Sequence, residues 1–300
     1  MFSFFSKVLC RDKRPGQPGT QAQGPLGRDV DQEATRADPI EIYSPDHERC
    51  FMVSPGDDAV FSGITDRGMA RRSNQDYLLI DPLREIFMVA DGMGGASAGE
   101  VASRQAVHAA YDYLLHGAKA GTHEDGPCAQ AVHEAFRMAN QAVRDMAKEY
   151  PEMTGMGTTM VAACMSGQQL CIGWIGDSRA YLLREKRALE QLTGDHSVVW
   201  EEYRAGRLTR KDARHHPARN RLTRAIGVDS TIQCDSVTVQ ISGNDRLLLC
   251  SDGLWGMLPD SSIEEVLRQA DTARRAARQL VDMANMEGGR DNITVIVRFF

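Results

Sequence analysis

The chain has 300 residues, 42% of them hydrophobic and 25% charged, with a formal net charge of −6. That length can bury a sizeable core without disulfide or metal staples. The acidic balance, with no dense lysine or arginine block, excludes a dedicated nucleic-acid binder, which must neutralise phosphates to gain affinity. The longest apolar runs are strand-sized, far short of the roughly 20 residues that cross a bilayer, so no transmembrane span is expected.

Taken in chain order, residues 1–55 read as a flexible N-terminal extension. Its tip, MFSFFSKVLC, lacks the small-residue cleavage site of a signal peptide, and residues 11–40 are rich in Pro, Gly, Gln and charge. From 56 to 300 the pattern is that of a folded domain. FSGIT, YLLID and EIFMVA are predicted strands, and 98–115 and 128–148 are predicted helices from their apolar spacing. TTMVAACM, QLCIGWIG and SRAYLLRE follow as strands. The polar, basic stretch around 195–225 predicts a small surface flap. IQCDSVTVQI, RLLLCSDG and NITVIVRFF are further strands, with helices over 262–269 and 272–285. Strict strand–helix alternation is missing, which disfavours a doubly wound parallel sheet. The expected class is α+β, a four-layer αββα sandwich of two mostly antiparallel sheets flanked by helix pairs.

Seven cysteines without a CxxC pair signal neither a disulfide framework nor a thiolate zinc site, and a cytoplasmic location fits, with the N-terminal segment available as a tether. No CxxxxxR loop is present, so a cysteine-based phosphate chemistry is excluded.

The chemical signal lies in acids at strand ends. Asp91 follows IFMVA and precedes Gly92-Met93-Gly94-Gly95; Asp252 follows LLLCS and precedes Gly253; Asp291 precedes the final strand; Asp76 opens YLLI. One strand-end Asp-Gly is an ordinary turn. Several together would repel one another unless a cation neutralised them, and oxygen-only ligands select Mg²⁺ or Mn²⁺ over Zn²⁺.

With those acids go DRGMARRSNQD (66–76), VADGMGG followed by Gly99-Glu100, GMGTT (155–159), IGDSRAYLLR (175–184), LTGDHSVV (192–199), NRLTRAIG (220–227), LLLCSDGLWGML (247–258) and GGRDNITVIV (288–297). In that order they resemble the PP2C-type metal-dependent Ser/Thr protein phosphatases, the bacterial branch most closely. The resemblance implies two Mn²⁺ or Mg²⁺ ions, with Asp91 bridging both, Asp252 and Asp291 on the first and the Gly92 carbonyl on the second. Arg71 stands at the family's phosphate-binding position, making Arg71, Asp91 and Asp252 the implied catalytic set. The implied reaction is hydrolysis of phosphoserine or phosphothreonine in proteins by a metal-activated water, without a phosphoenzyme. The implied partners are a phosphorylated protein and a counteracting Ser/Thr kinase. Compact size favours a monomer.

The chain departs from the family at several places. Gln75 stands where many members have glutamate, so either second-metal affinity is lower or Asp76 and solvent share the work. Met93 replaces the histidine that eukaryotic relatives use as a proposed acid. Gly155 falls where some members place an aspartate for a third ion, which makes a third ion doubtful. Asp195 is either a peripheral metal ligand or the N-cap of the helix that follows. Asp177, beside a glycine turn, reads as structural. His215 and His216 lack the further ligands of a zinc site. The glycines after Asp91 lack the full G-x-G-x-x-G of a nucleotide site. A non-catalytic phosphoprotein-binding module that retains the fold is the alternative function, with Gln75 its only support.

Overall fold

The computed structural model describes residues 60–95, 98–117 and 129–300, together with the backbone of 40–42 and 49–53. Thirteen strands and seven helices follow in chain order among the described residues: β1 (Ile40–Ile42), β2 (Arg49–Val53), β3 (Phe61–Asp66), β4 (Asp76–Asp81), β5 (Ile86–Met93), α1 (Ala98–Gly117), α2 (Ala129–Glu149), β6 (Gly157–Thr158), β7 (Met160–Ser166), β8 (Gln169–Ile175), β9 (Arg179–Leu183), β10 (Glu190–Gln191), α3 (Val198–Arg204), α4 (Arg210–His215), β11 (Asp235–Gln240), β12 (Arg246–Cys250), α5 (Asp252–Trp255), α6 (Asp260–Gln269), α7 (Ala273–Met286) and β13 (Ile293–Phe299).

The strands form two sheets. One runs β1-β4-β5-β7-β8-β11, with the short β6 paired to the end of β5, and the other runs β10-β9-β12-β13-β3-β2. Neighbours pair antiparallel throughout. The αββα sandwich expected from the sequence is therefore the fold observed. β1 and β2 fall within the stretch assigned to the extension, each joining one sheet as an edge strand; the rest of residues 1–55 lies outside the described residues.

Strand periodicity explains why the central strands read as continuous apolar runs. Side chains alternate between faces, and here both faces are covered. On β4, Tyr77 and Leu79 enter the core beneath α1 and α2, whereas Leu78 and Ile80 enter the core between the sheets. β5 repeats this, with Ile86, Met88 and Ala90 facing the helices and Phe87 and Val89 facing the other sheet. In the second sheet Leu248, Cys250, Val295 and Val297 pack against α6 and α7, while Leu247, Leu249 and Ile296 face inward. Each large side chain buried this way contributes about 1.5–3 kcal/mol. The helices match their layers: Ala102, Ala106, Val107, Ala110 and Leu114 of α1 recur at helical spacing and are buried against α2 and the sheet. Cys164, Cys171, Cys234 and Cys250 are buried free thiols, in keeping with a packing role.

The polar stretch around 195–225 carries α3 and α4. Its two ends are pinned together, since Val198 N donates to Arg221 O at 2.9 Å and Thr223 N to His196 O at 2.8 Å. Just beyond, Thr158 and Ile226 exchange a pair of backbone bonds, and Thr158 in turn pairs with Gly92. The base of the flap is thus tied to the end of β5.

Candidate active site

The alternation that builds the core also aims the acids. On β5 the inward residues are Phe87 and Val89, and the next in that register is Asp91. On β4 they are Leu78 and Ile80, and the preceding one is Asp76. The two aspartates are direct cross-strand partners, both directed between the sheets at one end of the sandwich. Like charges directly opposite on neighbouring strands are destabilising, so this pairing carries an electrostatic cost. The second sheet brings Asp252, at the start of α5, and Asp291, just before β13, to the same end.

These groups sense one another. Burial, opposed by bonds from Thr294 and Ser251, pushes the Asp76 carboxyl up to about 7, helped by Asp291 and Asp252. Asp91 is held well above the carboxylate range by burial and by Asp76 and Asp252. Asp252, in hydrogen-bonding contact with Asp91, is pushed up to about 6 by burial and by Asp291. Ser251 donates to Asp76 Oδ2 at 2.7 Å, but Asp76 Oδ1 and Asp252 Oδ1 are buried without a hydrogen-bond partner. Arg71 donates to Asp291 Oδ2 at 2.6 Å from a side chain 53% exposed, and its neighbour Arg72 is exposed.

Among the described residues, no group of three or more His, Cys, Asp or Glu side chains stands arranged as a finished metal-ligand set. The donor chemistry nonetheless fits a hard cation: burial and neighbouring acids raise the proton affinity of Asp76, Asp91 and Asp252, and two buried oxygens lack any donor. A divalent ion would satisfy both conditions.

The surrounding backbone holds the acids closely. A Cβ on Gly92 would lie 2.0 Å from Gly99 O, and one on Gly253 would lie 1.9 Å from Asn292 O. The glycines beside Asp91 and Asp252 are therefore required by close approach of neighbouring backbone. Gln75, the departure from the family pattern, uses its backbone carbonyl to accept from Gly92 N at 3.2 Å and Ser103 Oγ at 2.7 Å. Its side-chain amide packs above Gly99.

Asp195 does not cap the helix that follows it. Arg179 grips both of its oxygens, at 2.8 and 2.6 Å, and the cap of α3 is Ser197, whose hydroxyl accepts from Trp200 N. The N-cap reading is thereby corrected: Arg179, buried on β9, competes for the carboxylate more strongly than a helix N–H can. Asp177 is buried, with its carbonyl accepting from Trp255 Nε1 at 2.9 Å. Gly155 sits in an exposed turn at φ +82°. His216 Nδ1 accepts from Ala218 N, closing a local turn.

Two residues that sequence reasoning passed over hold the arrangement together. Asn292 accepts from Gln75 N at 2.9 Å and donates to Arg67 O and Ser73 O, stapling the Arg71 loop to Asp291. Ser251 bonds Asp76 and accepts from Thr294 N, joining the two sheets. Their only signal was adjacency, each lying next to an expected ligand.

Comparison with known proteins agrees with this geometry. The family model for protein phosphatase 2C matches residues 69–293. The serine/threonine phosphatase stp of Listeria monocytogenes is 39% identical over 236 residues, covering 78% of this chain and 92% of that protein. The catalytic domain of the serine/threonine phosphatase PstP, solved in complex with two manganese ions, superposes with a TM-score of 0.68 at 32% identity, over 79% of this chain and 96% of that one. PppA of Pseudomonas aeruginosa, described as a key regulatory component of T6SS, gives a TM-score of 0.66 at 31% identity, over 80% and 97% of the two chains. The chain belongs to the protein phosphatase 2C family of metal-dependent Ser/Thr phosphatases, in its bacterial branch.

Proposed function

We propose that this site hydrolyses phosphoserine and phosphothreonine in proteins by direct attack of water, without a phosphoenzyme. The observation that carries the reading is the meeting of Asp76 and Asp91 from one sheet with Asp252 and Asp291 from the other, leaving buried carboxylate oxygens without donors. Asp91, the Gly92 carbonyl, Asp252 and Asp291 are the groups that would hold two Mn²⁺ or Mg²⁺ ions. Those ions would supply positive charge against the phosphoryl oxygens and lower the pKa of the attacking water.

Arg71 binds the phosphate. Its fork is exposed and close enough to Asp291 to keep its position, and a guanidinium matches two phosphoryl oxygens at once. Asp76, anchored by Ser251 and directly opposite Asp91, supplies the second-metal charge that Gln75 lacks. With Asp195 held by Arg179 and Gly155 offering no carboxylate, two ions suffice. Met93 carries no proton, so the leaving alkoxide takes its proton from water.

A phosphoprotein substrate implies a counteracting Ser/Thr kinase. A regulatory client, within a signalling or secretion apparatus, is favoured by the likeness to PppA. No described helix is long and apolar enough to cross a membrane. Retention of all four acids disfavours a purely binding role.

The test is p-nitrophenyl phosphate hydrolysis with Mn²⁺, for wild type and Asp252→Asn. Turnover should vanish in EDTA and fall at least about a hundredfold in the variant, the scale expected when charge stabilisation of the transition state is removed. Full turnover in EDTA would sink the reading.

A further inference from the structure

Beside the flap lies a cavity of about 370 Å³ whose walls include Trp200, Tyr203 and Trp255. Its charges do not balance. Arg179, stacked 3.7 Å from the Trp255 ring centre, is matched by Asp195, and Arg210 is matched by Asp260 at 2.7 Å. Lys211, Arg214 and Arg219 also line the cavity, and none of their side chains has a hydrogen bond or ion pair among the described residues. An acidic protein therefore keeps three unmatched cations around one aromatic-walled space.

Arg214 is the most telling of them. It is half-buried on α4, and burial lowers its pKa, although Asp260 attracts it. Withdrawing a guanidinium from water without a partner is costly, so its place here suits an anion that arrives later. The cavity is also close to the acids. Trp255 ends the single turn of α5 that begins at Asp252, and residues three apart on a helix face are neighbours, about 5–6 Å between Cβ atoms. Arg219 lies near enough to favour the charged form of Asp252.

We propose that this cavity is a second anion-binding site, which takes an acidic side chain of the phosphoprotein substrate carried within a few residues of the phosphoserine being hydrolysed. The group is a carboxylate or a second phosphate. The guanidinium fork of Arg214 receives its oxygens, and Trp200, Tyr203 and Trp255 cover its methylenes. The inference rests on the phosphatase reading, deepening it from substrate class to the residues flanking the target.

The experiment uses three fluorescein-labelled phosphoserine peptides, flanked by alanines, by glutamates or by a second phosphoserine. Their binding to the full-length protein is measured in EDTA, so that turnover does not enter, and kcat/KM is then measured with Mn²⁺. Wild type should prefer one or both anionic peptides over the alanine peptide by roughly tenfold, the scale of one charge-assisted hydrogen bond. The tighter of the two names the source. In Arg214→Gln the preference should collapse, chiefly through KM. Lys211→Gln, on the exposed side of α4, should reduce it less and decides the matter if the first variant fails to fold. Equal binding of all three peptides by wild type, or an undiminished preference in both variants, would overturn the proposal. Failure of wild type to hydrolyse p-nitrophenyl phosphate would instead count against the phosphatase reading, while the binding preference still tests the cavity.

Discussion

The acid cluster and the flap stand side by side and are built in opposite ways. The acids are carried by or beside the inner strands of two sheets, where register aims Asp76 and Asp91 at each other and backbone packing admits nothing larger than glycine at Gly92 and Gly253. The flap carries two short helices that depend on local devices: the Ser197 cap of α3 and the Thr209–Asp212 capping box of α4. One region holds like charges together against repulsion, on two paired strands and on the segments adjoining two strand ends of the other sheet. The other leaves Lys211, Arg214 and Arg219 without an ion-pair partner around a cavity. The contrast teaches that strand register supplies the positional precision needed to hold like charges, whereas the short helices carry charges that no ion pair offsets.

The comparison can be broken hardest at Gly253. Gly253→Ala places a methyl against Asn292 O, and overpacking of this kind should destabilise the protein by about 3 kcal/mol and abolish manganese-dependent turnover. Urea unfolding and the p-nitrophenyl phosphate assay measure both, and a stable, active variant would mean that the sheet ends are not rigid.

A second way to sharpen it is pH. Burial and neighbouring acids push Asp76 up to about 7 and Asp252 up to about 6 in the folded protein, against about 3.9 for a free aspartate. Their protonation favours folding, fully so below about pH 4, and that contribution is lost as pH rises through 6 to 7. In EDTA the unfolding free energy should therefore fall between pH 5 and pH 8. Mn²⁺ should flatten the slope and raise stability, because a cation replaces the protons. A flat profile in EDTA would show that burial and repulsion do not raise these carboxyls in the folded protein.

The smallest effect belongs to the flap. Thr209→Ala removes the capping box of α4 and should cost about 1 kcal/mol while leaving p-nitrophenyl phosphate turnover within about twofold. Loss of turnover on the scale of Asp252→Asn would tie the flap to chemistry.

Much of this was legible in the residues. The strand runs, the four longer helices and the αββα order followed from apolar periodicity, because each element must bury its own face. Asp91, Asp252 and Asp291 stood out because each is a strand-end acid beside a glycine or an asparagine. What escaped were the partners that come from far along the chain. Ser251 meets Asp76 across 175 positions, and Asn292 meets Gln75 across 217; no local pattern encodes such contacts. The N-cap alternative for Asp195 failed for the same reason: a carboxylate before a helix looks like a cap until a buried arginine sixteen residues away claims it.

By itself, then, the sequence determined the class of fold, the family and the identity of the acids, all properties of local pattern and motif order. Only the tertiary structure decided that Asp76 and Asp91 lie face to face, that Arg71 reaches Asp291, and that unmatched cations gather beside Trp255. These depend on strand register and on which loops share one end of the sandwich, and register is set by the packing of the whole core.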